Sequence, residues 1–106
     1  LTELNLSNFD TTNVTSMNSM FSNCSNLISL DLRNFDISQV TNLGYMFYRC
    51  TNLKTIDFRK ATFNNVSSYG SMFFNTSDLS VIVKDEVARS WIQSRLGSNG
   101  TAIIAG

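Results

Sequence analysis

The chain has 106 residues, 42% of them hydrophobic and 15% charged, which fits one soluble globular domain and leaves no apolar run long enough to cross a bilayer. Eight basic residues balance eight acidic ones, so there is no electrostatic footprint for a phosphate backbone and nucleic acid is not an expected partner. Histidine is absent, which removes the commonest general base and the commonest metal ligand and weighs against hydrolytic or zinc chemistry; no cofactor is expected.

The chain repeats itself. Residues 1–26 read LTELNLSNFDTTNVTSMNSMFSNCSN, and LISLDLRNFDISQVTNLGYMFYRCTN and LKTIDFRKATFNNVSSYGSMFFNTSD follow with no insertion. In this frame Leu1, Leu27, Leu53 and Leu79 superpose, as do Leu4, Leu30, Ile56 and Ile82, and Val14, Val40 and Val66. Self-similarity at a period of 26 residues is the mark of a solenoid, in which each repeat is one coil stacked on the last. The chain is therefore read as one domain over 1–106, with three repeats over 1–78 and a degenerate fourth coil with a cap over 79–106.

Each unit opens with LxxLxL, the two-residue spacing of a strand with one buried face. Short strands are predicted over 3–7, 29–33, 55–59 and 80–84, stacked in register as a parallel sheet. A corner follows at Asn8, Phe9 and Asp10 and again at Asn34, Phe35 and Asp36, where Asn and Asp bond nearby backbone and the ring turns inward. Next, Val14, Met17, Met20, Phe21 and Cys24 recur at helical spacing, which predicts a one- or two-turn helix docked on the sheet by a Met and Phe face. That stripe reads as core rather than as a ligand pocket.

The third unit departs from the frame. Its corner phenylalanine is Ala61 and its aspartate is Thr62, while a new ring appears at Phe63, which is expected to fold back over Ala61 because an unfilled ring-sized void is costly. From Leu79 the repeat decays into an amphipathic helix with Asp85 as N-cap, Trp91 packed in the core, and Gly97 as C-terminal stop. A last small strand is predicted over 101–105, so the segment closes the stack as a cap. Nothing equivalent precedes Leu1. The chain opens inside a repeat without export leader or anchor, and is expected to be a piece of a longer protein whose uncapped N-terminal edge is open to self-association.

The frame LxxLxLxNFDxxxVTxMxxMFxxCxNL, read from Leu1 to Leu27 and from Leu27 to Leu53 with Leu43 in the first Met slot, resembles that of the BspA-like leucine-rich-repeat surface proteins, a group also described by a domain of unknown function in mycoplasmal lipoproteins. The resemblance covers 1–78 and weakens at Ala61, Thr62, Tyr69 and Thr76. It implies an α/β, leucine-rich-repeat-like right-handed solenoid of about four coils, with a short parallel sheet on one face, short helices on the other and a C-terminal capping helix. It also implies an extracellular bacterial surface module that adheres to host or matrix protein or glycan. No catalytic or metal-ligating residue is carried over.

Cys24 and Cys50 share a slot one coil apart, which allows a disulfide staple but equally a small buried thiol, the reading favoured by the near-perpendicular torsion a disulfide needs. The sequons at Asn5, Asn13, Asn23, Asn65, Asn75 and Asn99 are read as by-products of an Asn- and Ser-rich composition. The outward strand positions form the candidate partner face. Asn5 and Ser7, then Asp31 and Arg33, then Asp57 and Arg59 are expected in columns on the exposed sheet, with opposite charges able to pair across it. No nucleophile and base, phosphate loop or metal cluster is present, so the chain is read as non-catalytic, either a binding module or a structural spacer with no ligand of its own.

Overall fold

A computed structural model describes residues 3, 4, 6 and 10–105. Five strands, β1 (Glu3–Leu4), β2 (Ser29–Asp31), β3 (Thr55–Phe58), β4 (Leu79–Val83) and β5 (Gly100–Ile104), form one parallel sheet in chain order, and one α-helix, α1 (Glu86–Leu96), lies between β4 and β5. The protein is thus a mixed α/β fold. Leu4 pairs with Leu30 and Leu30 with Ile56, so consecutive units lie in register at the sequence period. Leu30, Leu32, Ile56 and Phe58 point into the core, as the alternation within a strand requires.

The fourth strand corrects the expected frame by one residue. Ile56 pairs with Val81, not with Ile82, which stands opposite Asp57. Side chains alternate across a strand, and in this register Leu79, Val81 and Val83 are all buried while Ser80 and Ile82 are half-buried on the outer face. Keeping Ile82 in the core row would have turned three apolar side chains outward.

The short helices expected on the far side do not form. Over 17–24 and its counterparts the chain runs as consecutive turns, closed by bonds such as Met20 N–H to Met17 O and Cys24 N–H to Phe21 O. The intervening amides reach the next unit instead: Ser19 donates to Gly44 O, Phe21 to Met46 O and Asn23 to Tyr48 O, and the second unit repeats this with Tyr45, Phe47 and Arg49. Each advance needs a left-handed residue, and these fall in two columns, Ser19, Tyr45 and Ser71, then Asn23, Arg49 and Asn75. Ser and Asn are weak helix formers, and a ladder that satisfies the backbone between units leaves a helix no advantage.

Inside, Phe21, Phe47 and Phe73 form a column of near-parallel rings, with centroids 5.8 and 5.4 Å apart, and the edge of Phe58 meets Phe47 at 6.1 Å. The Met and Phe stripe is therefore core, apart from Met20, which is 37% exposed where Met46 and Met72 are buried. The corners are tied between units, since the buried Thr11 hydroxyl accepts the Asp36 N–H at 2.7 Å.

The expected cap helix is present. Asp85 caps α1 by accepting from Ala88 N–H at 3.0 Å, Ala88, Ile92 and Leu96 are buried, and Gly97 ends the helix with φ of 56°. The Gln93 amide closes the outer edge of β5, accepting from Ala102 N–H and donating to Gly100 O. Gly100 is required where it stands, because a β-carbon there would lie 2.1 Å from the Leu79 carbonyl oxygen.

Candidate functional site

Asp31 and Asp57 are partners in the register of β2 and β3, each followed two residues later by an arginine on the same side of the sheet. The backbone N–H of Arg33 donates to Asp31 Oδ1 at 3.2 Å, fixing the carboxylate, and the guanidinium then folds back through Nε at 2.9 Å and Nη2 at 2.8 Å. Arg59 repeats this on Asp57, with backbone N–H at 3.1 Å, Nε at 3.0 Å and Nη2 at 2.7 Å. The charges pair along each strand, within one unit, rather than across the sheet as expected. The short reach of i to i+2 on one face makes the local fork easier to close than a bond to the next strand.

The result is two like forks side by side. Their environments differ, since the Asp31 side chain is 54% exposed and that of Asp57 only 14%. In the register of the sheet Asp57 has a strand on both sides, with Asp31 and Ile82 as its partners. The Arg33 hydrogen bond holds the Asp31 carboxyl below the usual carboxylate value against a partial cost of burial, with Arg59 adding a further pull. Each carboxylate in turn raises its own arginine. The face therefore carries two acidic and two basic side chains in balance, and the forks engage Nε and Nη2 of each guanidinium, a combination suited to carbonyls and hydroxyls rather than to a polyanion. Asn5 and Ser7, the other two expected members of this face, lie outside the described residues.

Elsewhere the chemistry is quiet. Both thiols are free; Cys50 donates to Phe21 O at 3.0 Å, and burial pushes it up to about 11, while Cys24 is partly exposed. Among the described residues no group of three or more His, Cys, Asp or Glu side chains is placed to hold a metal ion, and no helix is long and apolar enough to cross a membrane.

The third corner holds a feature that the repeat frame hinted at without locating. Phe63 is buried as expected, but its ring lies against Trp91, stacked at 4.8 Å, and edge-on to Phe58 at 5.6 Å. Trp91 is partly buried against the core and is met by Tyr69 and by the Arg95 guanidinium, which lies 4.0 Å from the Tyr69 ring centre. Ala61 is covered, at 1% exposed. A cleft of about 460 Å³ opens between Thr62, Asn64 and Val66 and the start of α1.

Neither a curated protein nor a solved structure matches this chain. Residues 2–86 do match the family described as "Mycoplasma protein of unknown function, DUF285", and the chain belongs to that family.

Proposed function

We propose that the chain is a right-handed, leucine-rich-repeat-like solenoid of about four coils, and that it serves as a non-catalytic binding module of a BspA-like bacterial surface protein. Its ligand on this reading is a host or matrix protein or a glycan, taken at the cell exterior by the exposed sheet face. The observation that carries the reading is the pair of Asp and Arg forks, held in the same geometry in adjacent strands. A side chain already locked by its neighbour loses little freedom on binding, so such a face is preorganised for a partner. Ser80 and Ile82 on β4 continue the same surface and supply an apolar margin.

The same self-pairing favours one rival, a structural spacer, because charges satisfied within the chain need no partner. The two are separated by replacing Asp31, Arg33, Asp57 and Arg59 together with alanine and measuring adhesion of the parent protein to immobilised matrix proteins and glycans. Loss of adhesion with an unchanged unfolding midpoint supports the binding module. Adhesion that persists at full strength supports the spacer.

A further inference from the structure

On the turn side, away from the strands, the second unit breaks the pattern of its neighbours. The left-handed positions hold Ser19 and Ser71 in one column and Asn23 and Asn75 in the other, but in the second unit they hold Tyr45 and Arg49, both with φ of 59°. Asparagine tolerates that conformation and bulky side chains do so least. Neither residue serves the core, since Tyr45 is 45% exposed and Arg49 is exposed too. Beside them Tyr48 and Phe74 occupy the slot that is Ser22 in the first unit. Tyr48 stacks on Phe74 at 5.2 Å, Tyr45 tilts against Tyr48 at 5.2 Å, and the Arg49 guanidinium lies 5.3 Å from the Tyr48 ring centre. Phe74 is 50% exposed. A cluster of surface rings and one cation, set where the repeat pattern calls for small polar residues, is the mark of a contact surface.

We propose that this cluster binds an acidic glycan, through a pyranose ring that carries a carboxylate. The backbone leaves no rung for an added peptide strand: Tyr45, Phe47 and Arg49 donate to the third unit, while Gly44 O, Met46 O and Tyr48 O accept from the first. The clefts of about 460 and 550 Å³ along α1 are lined by other residues, so the rings do not belong to a groove that would seat a helix there. What they offer is apolar ring surface with exposed hydroxyl and amide groups around it, from Ser19, Asn23, Ser71 and Asn75. A pyranose matches this, with an apolar C–H face for the rings and a hydroxylated rim for the amides. Charge selects the acid. The turn segments 17–24, 43–50 and 69–76 contain no Asp or Glu and one charged residue, Arg49, which forms no ion pair among the described residues. Asp78, the acidic residue nearest to these segments in sequence, forms none with it either. A uronate and a sialate share the required chemistry. This site is separate from the sheet face, and its test does not depend on that reading.

The 106-residue chain is titrated with trigalacturonate, with its methyl ester and with sialyllactose, and the amide resonances of Tyr45, Arg49 and Phe74 are followed. An acid saccharide is expected to shift these three with a Kd below about 10 mM, and the neutral ester to bind about fivefold more weakly than its acid, the size of one partly screened charge contact. The tighter of the two acids names the sugar. The neighbouring units supply the variants: Tyr45→Ser and Arg49→Asn install the residues that stand in the same columns, so both should unfold at the parent's midpoint or above it. Tyr45→Ser should weaken the acid about fivefold. Arg49→Asn should remove the difference between acid and ester. Phe74→Ser, at a ring half open to solvent, repeats the test independently. No shift at about 50 mM of any saccharide overturns the proposal, as does equal binding of acid and ester by the parent chain. Undiminished binding by both Tyr45→Ser and Phe74→Ser overturns it too. Tighter binding of the acidic peptide acetyl-Glu-Phe-Glu-amide than of either acid saccharide overturns it in favour of a protein partner.

Discussion

The side-chain amide of Gln93 stands beside Ala102 as the backbone of a further strand would, accepting the Ala102 N–H at 2.9 Å and donating to Gly100 O at 3.1 Å. The outer edge of β5 is thereby matched by a helix that contributes one side chain in place of a strand. An open parallel edge is a template for association with another chain, so this contact protects as well as stabilises. Gln93→Leu leaves a partly buried N–H unpaired and should lower stability by about 1–3 kcal/mol. Urea denaturation reads the loss, and light scattering should detect new association. Gln93→Glu keeps the acceptor, loses the donor and sets a carboxylate against Gly100 O, so it should be destabilising as well.

The left-handed columns make a separate prediction. Ser71 has φ of 55°, is exposed, and its side chain makes no hydrogen bond among those described. A β-branched residue tolerates this conformation worst. Ser71→Val should cost about 1–2 kcal/mol, whereas Ser71→Gly should cost nothing or stabilise slightly. Were the segment helical, the order would reverse, because glycine is the poorer helix former. Thermal denaturation of the two variants decides it.

The two cysteines should react at different rates. Burial raises Cys50 to about 11 from an ordinary 9.0, so near neutral pH its thiolate is roughly a hundredfold scarcer than that of an ordinary thiol, and the group is also enclosed. Cys24 is partly exposed. Iodoacetamide followed by peptide mass mapping should label Cys24 first, and Cys50 only under conditions that open the fold. Simultaneous labelling would contradict the burial of the Cys50 slot.

Acid should loosen the corners. The Thr12 hydroxyl first and its N–H second hold Asp10 below the ordinary 3.8, and the Ser38 hydroxyl and N–H do the same for Asp36. Because the folded values are the depressed ones, this stabilisation is complete above the ordinary carboxylate value and is lost as pH falls through the folded values. The unfolding midpoint should therefore stay level from neutral pH to about pH 5 and fall below about pH 4. Asp36→Asn should flatten the acid part of that profile, and a profile identical to the parent's would rule out the corner as its source.

Much of this architecture was legible because the strand signal is strict. Leu30, Leu32, Ile56 and Phe58 alternate and recur, and only a parallel register satisfies both facts. The turns were misread because a train of three-residue closures places Met17, Phe21 and Cys24 at the intervals a helix would use. What distinguishes the two is backbone chemistry at Ser19, Asn23 and their counterparts, where spacing of apolar residues says nothing. The frame slipped at β4 because matching Leu79 and Ile82 to earlier leucines ignored the alternation of Leu79, Val81 and Val83 within the strand itself. At the candidate face, residue types and rows were readable. The direction of pairing was not, since it depends on a backbone N–H that anchors each carboxylate to its own strand.

The tight approach of Gly100 to Leu79 has a chemical price tag of its own. Since no other residue fits there, Asn99 is followed by the one neighbour whose unhindered amide most readily attacks an asparagine side chain, expelling ammonia and leaving an imide that water opens to aspartate or isoaspartate. Asn99 meanwhile donates its amide to Phe73 O at 3.1 Å, which links the cap to the last full repeat. The C-terminal segment is therefore tied to the third unit through a side chain open to that reaction, and deamidation would turn a donor into a carboxylate that repels the Phe73 carbonyl.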